Sequence, residues 1–195
     1  MKVNGEATLH GPVDRVYQVL HDPAVLVRTI PGCERLEQVG PDAYRMEVSA
    51  GVAAIKGTYS GDVRLTELEP PNSFLLKASG SGAPGTVSAE VRIELVAWNG
   101  GTLLTYDADA VVGGPVGGVG QRILAGVAKK TAGEFFAAVD EVLTGAAPVV
   151  EKGAVFAAPP RAPRGGGDFA TGVAIGAAAA LLGVVVGAVI GRRGR

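Results

Sequence analysis

Residues 2–112 alternate apolar and polar side chains with period two in run after run, and this commits that part of the chain to strands with one buried face. Val87, Ala89, Val91, Ile93 and Leu95 fall on one side, Ser88, Glu90, Arg92 and Glu94 on the other. Tyr59, Gly61, Val63 and Leu65 oppose Ser60, Asp62, Arg64 and Thr66 in the same way. Leu104, Tyr106, Ala108 and Ala110 oppose Thr105, Asp107 and Asp109. Turn chemistry separates the runs at Pro70-Pro71-Asn72, at Gly82-Ala83-Pro84-Gly85 and at Asn99-Gly100-Gly101, the last a hairpin signal.

Two short helices interrupt this pattern early. Pro12 suits a first helical position, and Val13, Val16, Tyr17 and Leu20 follow at helical spacing. Asp22-Pro23 caps a second helix that stops at Pro31-Gly32. After the last strand, residues 118–143 form one long helix whose apolar stripe reads Ile123, Val127, Phe135, Val139 and Val142. The order is strand, two short helices, six strands and a long helix. That predicts an α+β domain over 1–145, a curved antiparallel sheet wrapped around its C-terminal helix.

Beyond the domain the composition changes. Residues 146–168 hold Pro148, Pro159, Pro160, Pro163 and Gly165-Gly166-Gly167 without periodicity, and read as a flexible linker. Phe169–Gly191 then runs without a charged side chain into a basic tail, 192–195, with Arg192, Arg193 and Arg195. A helix of that length spans about 34 Å, enough for a bilayer core, which predicts a C-terminal transmembrane helix. The arginines beyond it run against the positive-inside tendency, so a shallow or re-entrant placement stays open beside a span. Gly183, Gly187 and Gly191 share one helical face, spacing that lets two membrane helices pair as a homo-oligomer; general glycine enrichment explains it equally well.

Charge and cysteine usage narrow the class. Residues 1–145 carry 12 Lys/Arg against 17 Asp/Glu, whereas 146–195 carry 6 against 2. An acidic domain lacks the basic surface that nucleic acid requires, while a basic tail suits anionic lipid. One cysteine, Cys33, forms no internal disulfide, and Met1-Lys2-Val3-Asn4-Gly5-Glu6 is no secretory signal. Both point to a domain at the cytoplasmic face of the cell membrane.

Several inward strand positions are small: Gly5, Ala7, Ala50, Gly61, Ala78, Gly80, Ala89, Ala108 and Ala110. Since interiors are close-packed, the helix must come very close there or leave a void. Phe135 and Phe136 oppose close approach, so an apolar cavity is expected between sheet and helix, a place for a lipophilic molecule. Its lining is read as Tyr59, Gly61, Ala78, Ala108 and Ala110 facing Ile123, Val127, Phe135 and Val139, with Ile30 closing the mouth. A register slip of one strand is the rival assignment, since it would turn that strand's whole set outward.

Catalytic and metal chemistry find little support. His10 and His21 stand apart from any carboxylate or thiol pattern, and no C-x-x-C or H-x-x-x-H spacing occurs. Cys33 lacks a local base, and Gly113–Gly120 lacks the Lys-Ser/Thr of a phosphate loop. That glycine-rich stretch is read as a flexible segment at the cavity mouth, and Trp98 as a half-buried residue at the sheet end. With no paired acid and base, no catalytic residue and no cofactor are assigned.

Three groups of residues nevertheless resemble a known family. They are Asp22-Pro23 leading to Ile30-Pro31-Gly32-Cys33-Glu34, and Lys56-Gly57-Thr58-Tyr59-Ser60-Gly61 followed by Pro70-Pro71. The third is Gly100-Gly101-Thr102 with Tyr106-Asp107-Ala108-Asp109-Ala110, Val112-Gly113-Gly114 and Val119-Gly120. Together they resemble the carbon monoxide dehydrogenase G-subunit (CoxG) family of the START-like helix-grip (SRPBCC) superfamily, over residues 1–145. The resemblance implies a helix-grip fold with a seven-stranded sheet, and association with molybdenum-containing carbon monoxide dehydrogenases. It brings no agreed catalytic residues.

Two functional readings follow. One is a membrane-tethered, non-enzymatic carrier of a lipophilic molecule such as a respiratory quinone. The other is a recruitment or assembly subunit that anchors the dehydrogenase and holds no ligand. Hydrolase or cyclase chemistry, a third class, lacks its acid–base pair here.

Overall fold

A computed structural model describes residues 1–52 and 54–145, together with the backbone of 155–157. The elements run β1 (Lys2–Leu9), α1 (Val13–Leu20), α2 (Pro23–Thr29), β2 (Cys33–Gly40), β3 (Ala43–Val52) and β4 (Ile55–Glu69). They continue with β5 (Ser73–Gly82), β6 (Gly85–Trp98), β7 (Gly101–Gly113), α3 (Gln121–Leu143) and β8 (Val155–Ala157). All strand pairs are antiparallel, in the order β1-β7-β6-β5-β4-β3-β2-β8. The seven expected strands are present in the expected sequence.

The turns form where their chemistry allows. Asn99 and Gly100 both have positive φ, 47° and 81°, the two-residue turn whose twist matches the flanking strands β6 and β7. At the start of α2 the Asp22 carboxylate accepts from the Ala24 N–H at 2.9 Å, and Pro23 takes the first helical position. Ile30 leaves the helix in extended conformation, as a residue before proline must.

The strand registers stack side chains in rows across the inner face. Val63, Ala78, Ala89 and Ala110 make one row; Leu65, Leu76, Val91, Ala108 and Val3 make the next. Phe74, Ile93, Tyr106 and Gly5 follow, then Leu95, Leu104 and Ala7. These rows, α1, α2 and one face of α3 form a single core.

Three expectations are corrected. The buried residues of α3 are Leu124, Ala128, Thr131, Ala132 and Val139, with Phe135 and Val142 packed against the core; of the expected stripe Ile123 departs, at 53% exposed, and Val127 packs in a separate small cluster. The helix lies over β1, where Ala128 and Ala132 are buried in the close approach. Second, Gly5 and Gly61 make room for neighbouring groups, and of the small strand residues Gly5 and Ala7 border open space, between β1 and α3. A Cβ on Gly5 would collide with the Tyr106 ring, and one on Gly61 with the Ser79 carbonyl of the neighbouring strand. Third, residues 155–157 of the expected linker form β8, pairing Arg35 with Ala157, Leu36 with Phe156 and Glu37 with Val155. This covers the edge that β2 would otherwise expose. A three-residue strand among prolines leaves no periodicity to read.

Among the described residues no helix is long and apolar enough to cross a membrane. The expected span 169–191 with Gly183, Gly187 and Gly191, the tail 192–195, and most of 146–168 lie outside the described residues.

The two ends of the domain are clasped by a polar contact. The Asp140 carboxylate of α3 accepts from the His10 backbone N–H at 2.6 Å and pairs with its Nδ1 at 2.8 Å. Partial desolvation raises the Asp140 pKa, but the His10 backbone bond, ring bond and charge outweigh it, and the net shift is downward. A depressed carboxylate adds stability above its unfolded pKa, about 3.8, and loses it as pH falls through the lower folded value. Asp140→Ala is expected to cost about 1 kcal/mol at neutral pH. In urea melts that deficit should shrink only below about pH 4.

Candidate functional site: an apolar pocket under the helical cap

The core is not filled between α3 and the end of the sheet that α1 and α2 cover. A cavity of about 90 Å³ lies there. Leu65, Leu76, Val91 and Ile93 form its floor, and Leu20, Leu26 and Ile30 its cap. Leu36, Tyr44, Met46, Val63, Phe74, Leu104 and Tyr106 complete the sheet side. Thr131, Ala132, Phe135 and Phe136 face them from α3. Phe135 and Phe136, with ring centroids 5.2 Å apart, prop the helix away from the floor.

Tyr106 stacks at an angle on Phe136, centroids 5.7 Å apart. This pair also borders a second space, a groove of about 450 Å³ between β1 and α3 lined by Gly5, Lys129, Gly133 and Asp140 among others. Two rings therefore stand between the apolar chamber and the groove, and line both. The missing side chain at Gly5 gives the Tyr106 ring its place.

At the cap, His21 stacks on Tyr17 with centroids 4.1 Å apart and meets Phe74 edge-on. Its Nδ1 lies 2.7 Å from the Tyr17 carbonyl, which only accepts, so Nδ1 carries the proton and Nε2 presents a lone pair. Nε2 is buried with no hydrogen-bond partner among the described residues. Burial lowers the His21 pKa by more than the Tyr17 bond and the Asp42 charge raise it, so the ring is neutral at pH 7. The Tyr44 hydroxyl donates to the His21 carbonyl at 3.1 Å and fastens the cap to the sheet.

Cys33, buried at the start of β2, is not poised as a nucleophile. Burial pushes the Cys33 thiol up to about 12, which leaves almost no thiolate at neutral pH. Desolvation raises Tyr59 and Tyr106 as well. Among the described residues no three His, Cys, Asp or Glu side chains converge on a metal position.

Of the residues singled out in the sequence, Ile30 and Phe135 line the chamber. Tyr59, Gly61, Ala78, Ala108, Ala110 and Val139 are buried without reaching it. Val127 packs with Val52, Val116 and Leu124 in a separate small cluster, and Ile123 faces solvent. The glycine-rich stretch before α3 belongs to that same cluster through Val116 and does not border the chamber. Sequence reasoning missed the cap residues Leu20 and Leu26 and the α3 residue Thr131. The signal for Thr131 was present, a polar residue four before Phe135 and four after Val127. Trp98 is 53% exposed, at the sheet end as read but more open than half-buried.

The sequence model of the carbon monoxide dehydrogenase G-subunit (CoxG) family matches residues 5–144. A conserved protein from Geobacillus kaustophilus, known from its crystal structure, is 39% identical; the alignment covers 75% of this chain and 97% of that one, with a TM-score of 0.71. Two more distant crystal structures share the fold alone. A protein from Chromobacterium violaceum is 19% identical over 73% of this chain and 96% of its own, with a TM-score of 0.56. A protein from Thermus thermophilus is 16% identical over 76% and 100%, with a TM-score of 0.58. No curated protein matches the chain.

Proposed function

The chain belongs to the carbon monoxide dehydrogenase G-subunit family, within the START-like helix-grip superfamily, and we propose that it is a non-catalytic carrier of a lipophilic molecule, a respiratory quinone, for a molybdenum-containing dehydrogenase of that type. The family is associated with carbon monoxide dehydrogenase. We read the acceptor of such an enzyme as a molecule dissolved in the bilayer, which an apolar chamber beside the membrane would shelter between the two. The single observation that carries this reading is the apolar chamber beneath the α1–α2 cap.

Its size sets a condition. Pockets for drug-sized ligands measure about 300–1,000 Å³, and the chamber holds about 90 Å³. A quinone ring with its chain would need the Tyr106–Phe136 pair to part and join the chamber to the β1–α3 groove, together well within that range. Each buried CH₂ of a prenyl chain favours binding by about 0.8 kcal/mol, so two or three isoprene units would offset the rotamer cost of moving two rings.

The uncharged segment 169–191 would hold the domain at the cytoplasmic face of the membrane, with 158–168, beyond β8, giving it reach. The test is fractionation of the full chain and of a chain ending at Ala158, which keeps β8, followed by solvent extraction and mass spectrometry of both. Membrane-bound full-length protein carrying quinone supports the reading; full-length protein in the soluble fraction without any lipid overturns it. The small chamber volume favours a second reading, recruitment of the dehydrogenase without a ligand. Membrane association with no extractable lipid would select it.

A further inference from the structure

Thr131 sits midway along α3 on its buried face, and its side chain lines the chamber. It is 0% exposed, and its Oγ1 has no hydrogen-bond partner among the described residues. A buried hydroxyl left unpaired is costly, and on a helix the usual remedy is a bond to a carbonyl one turn back. Thr29 in α2 does this, its Oγ1 donating to the Val25 carbonyl at 3.1 Å. Thr131 does not.

Elsewhere the lining is carbon apart from the Met46 sulfur and two tyrosine hydroxyls, and the Tyr106 hydroxyl lies against Gly5 of β1, which borders the groove. The Tyr44 hydroxyl is already engaged by the His21 carbonyl. No Lys, Arg or His lines the chamber, so a carboxylate or phosphate placed there would lack a counter-charge and keep its full desolvation penalty. A purely hydrocarbon ligand would leave the Thr131 hydroxyl as unsatisfied as an empty chamber does.

From these observations we propose that Thr131 is the polar anchor of the chamber, its hydroxyl donating to the oxygen of an uncharged, otherwise apolar ligand such as a carbonyl-bearing ring. This rests on the chamber being the ligand site proposed above. Since Thr131 faces the floor from the middle of α3, between Val127 and Phe135, it fixes where the oxygen sits. The apolar remainder then points towards the Tyr106–Phe136 pair and the groove.

The test is calorimetric titration of the full-length chain with decylubiquinone, decylbenzene and decanoate, in wild type, Thr131→Val and Thr131→Ser. Valine keeps the shape and removes the hydroxyl; serine keeps the hydroxyl. Decylubiquinone affinity should fall about tenfold in Thr131→Val and recover in Thr131→Ser, the effect of one buried hydrogen bond. Decylbenzene affinity should stay the same in all three proteins, and decanoate should not bind. If both neutral probes bind wild type and Thr131→Val weakens them equally or not at all, the anchor role is wrong while the chamber remains the ligand site. Decanoate binding as tightly as decylubiquinone overturns the neutral ligand class. Failure of both neutral probes to bind wild type removes the chamber reading and the anchor with it.

Discussion

Ala132→Leu should lower the affinity for decylubiquinone by roughly fiftyfold while leaving the domain folded. Ala132 lies on the α3 wall of the chamber, buried and facing the floor. Leucine adds three carbons to a space of about 90 Å³, and each displaces about one methylene of ligand. At about 0.8 kcal/mol per CH₂ the loss is about 2.4 kcal/mol, which sets the fold-change. Overpacking a filled core costs about 1–3 kcal/mol, but here the new atoms enter a void and gain contacts, so the change in stability should be near zero or positive. Titration of the variant alongside its urea melt checks both halves. Unchanged affinity with unchanged stability would mean that the ligand binds elsewhere.

The reverse substitution has the largest expected effect on stability. Leu104→Ala should destabilise the domain by about 3 kcal/mol and lower its Tm by roughly 10 °C. Leu104 is 0% exposed and stands on β7 between Leu95 of β6 and Ala7 of β1. It also lines the chamber, so its removal extends an existing void that the β-sheet cannot close by collapse. A chamber enlarged in this way should regain stability on adding decylubiquinone by more than wild type does, since ligand bound only by the folded state adds to its stability. Thermal melts with and without the probe measure this directly. A loss below about 1 kcal/mol would show that the wall relaxes into the gap.

The fold was written into the strand alternation because one buried face per strand leaves a period that no helix reproduces. Val87 to Leu95 and Tyr59 to Leu65 have the orientation their spacing implies, and the Asn99-Gly100 turn fixes their neighbours' register. The chamber was less legible. Ala78, Ala108 and Ala110 looked like the walls of a void, yet small residues equally permit close packing, and they are buried off the chamber. The actual void is bounded mostly by large side chains. Where three surfaces fail to meet is a property of their curvature, which a linear pattern does not encode. On α3, Phe135, Val139 and Val142 pack against the core as their spacing implies, but the first turns bury Leu124 and Ala128 and leave Ile123 exposed. Bulky substitutions at Ala108 and Ala110 are therefore expected to act on packing against Val91, Val3 and Ala89, and only indirectly on ligand uptake.

Photolabelling tests the central claim most directly. A photoreactive quinone analogue is added to the full-length chain, irradiated and mapped by peptide mass spectrometry, with decylubiquinone as competitor. The account predicts competable adducts on residues 20–36 and 128–136, the cap and the α3 wall of the chamber. Adducts confined to the exposed outer-face residues Val96, Trp98 and Val111, or labelling that decylubiquinone fails to suppress, would contradict it.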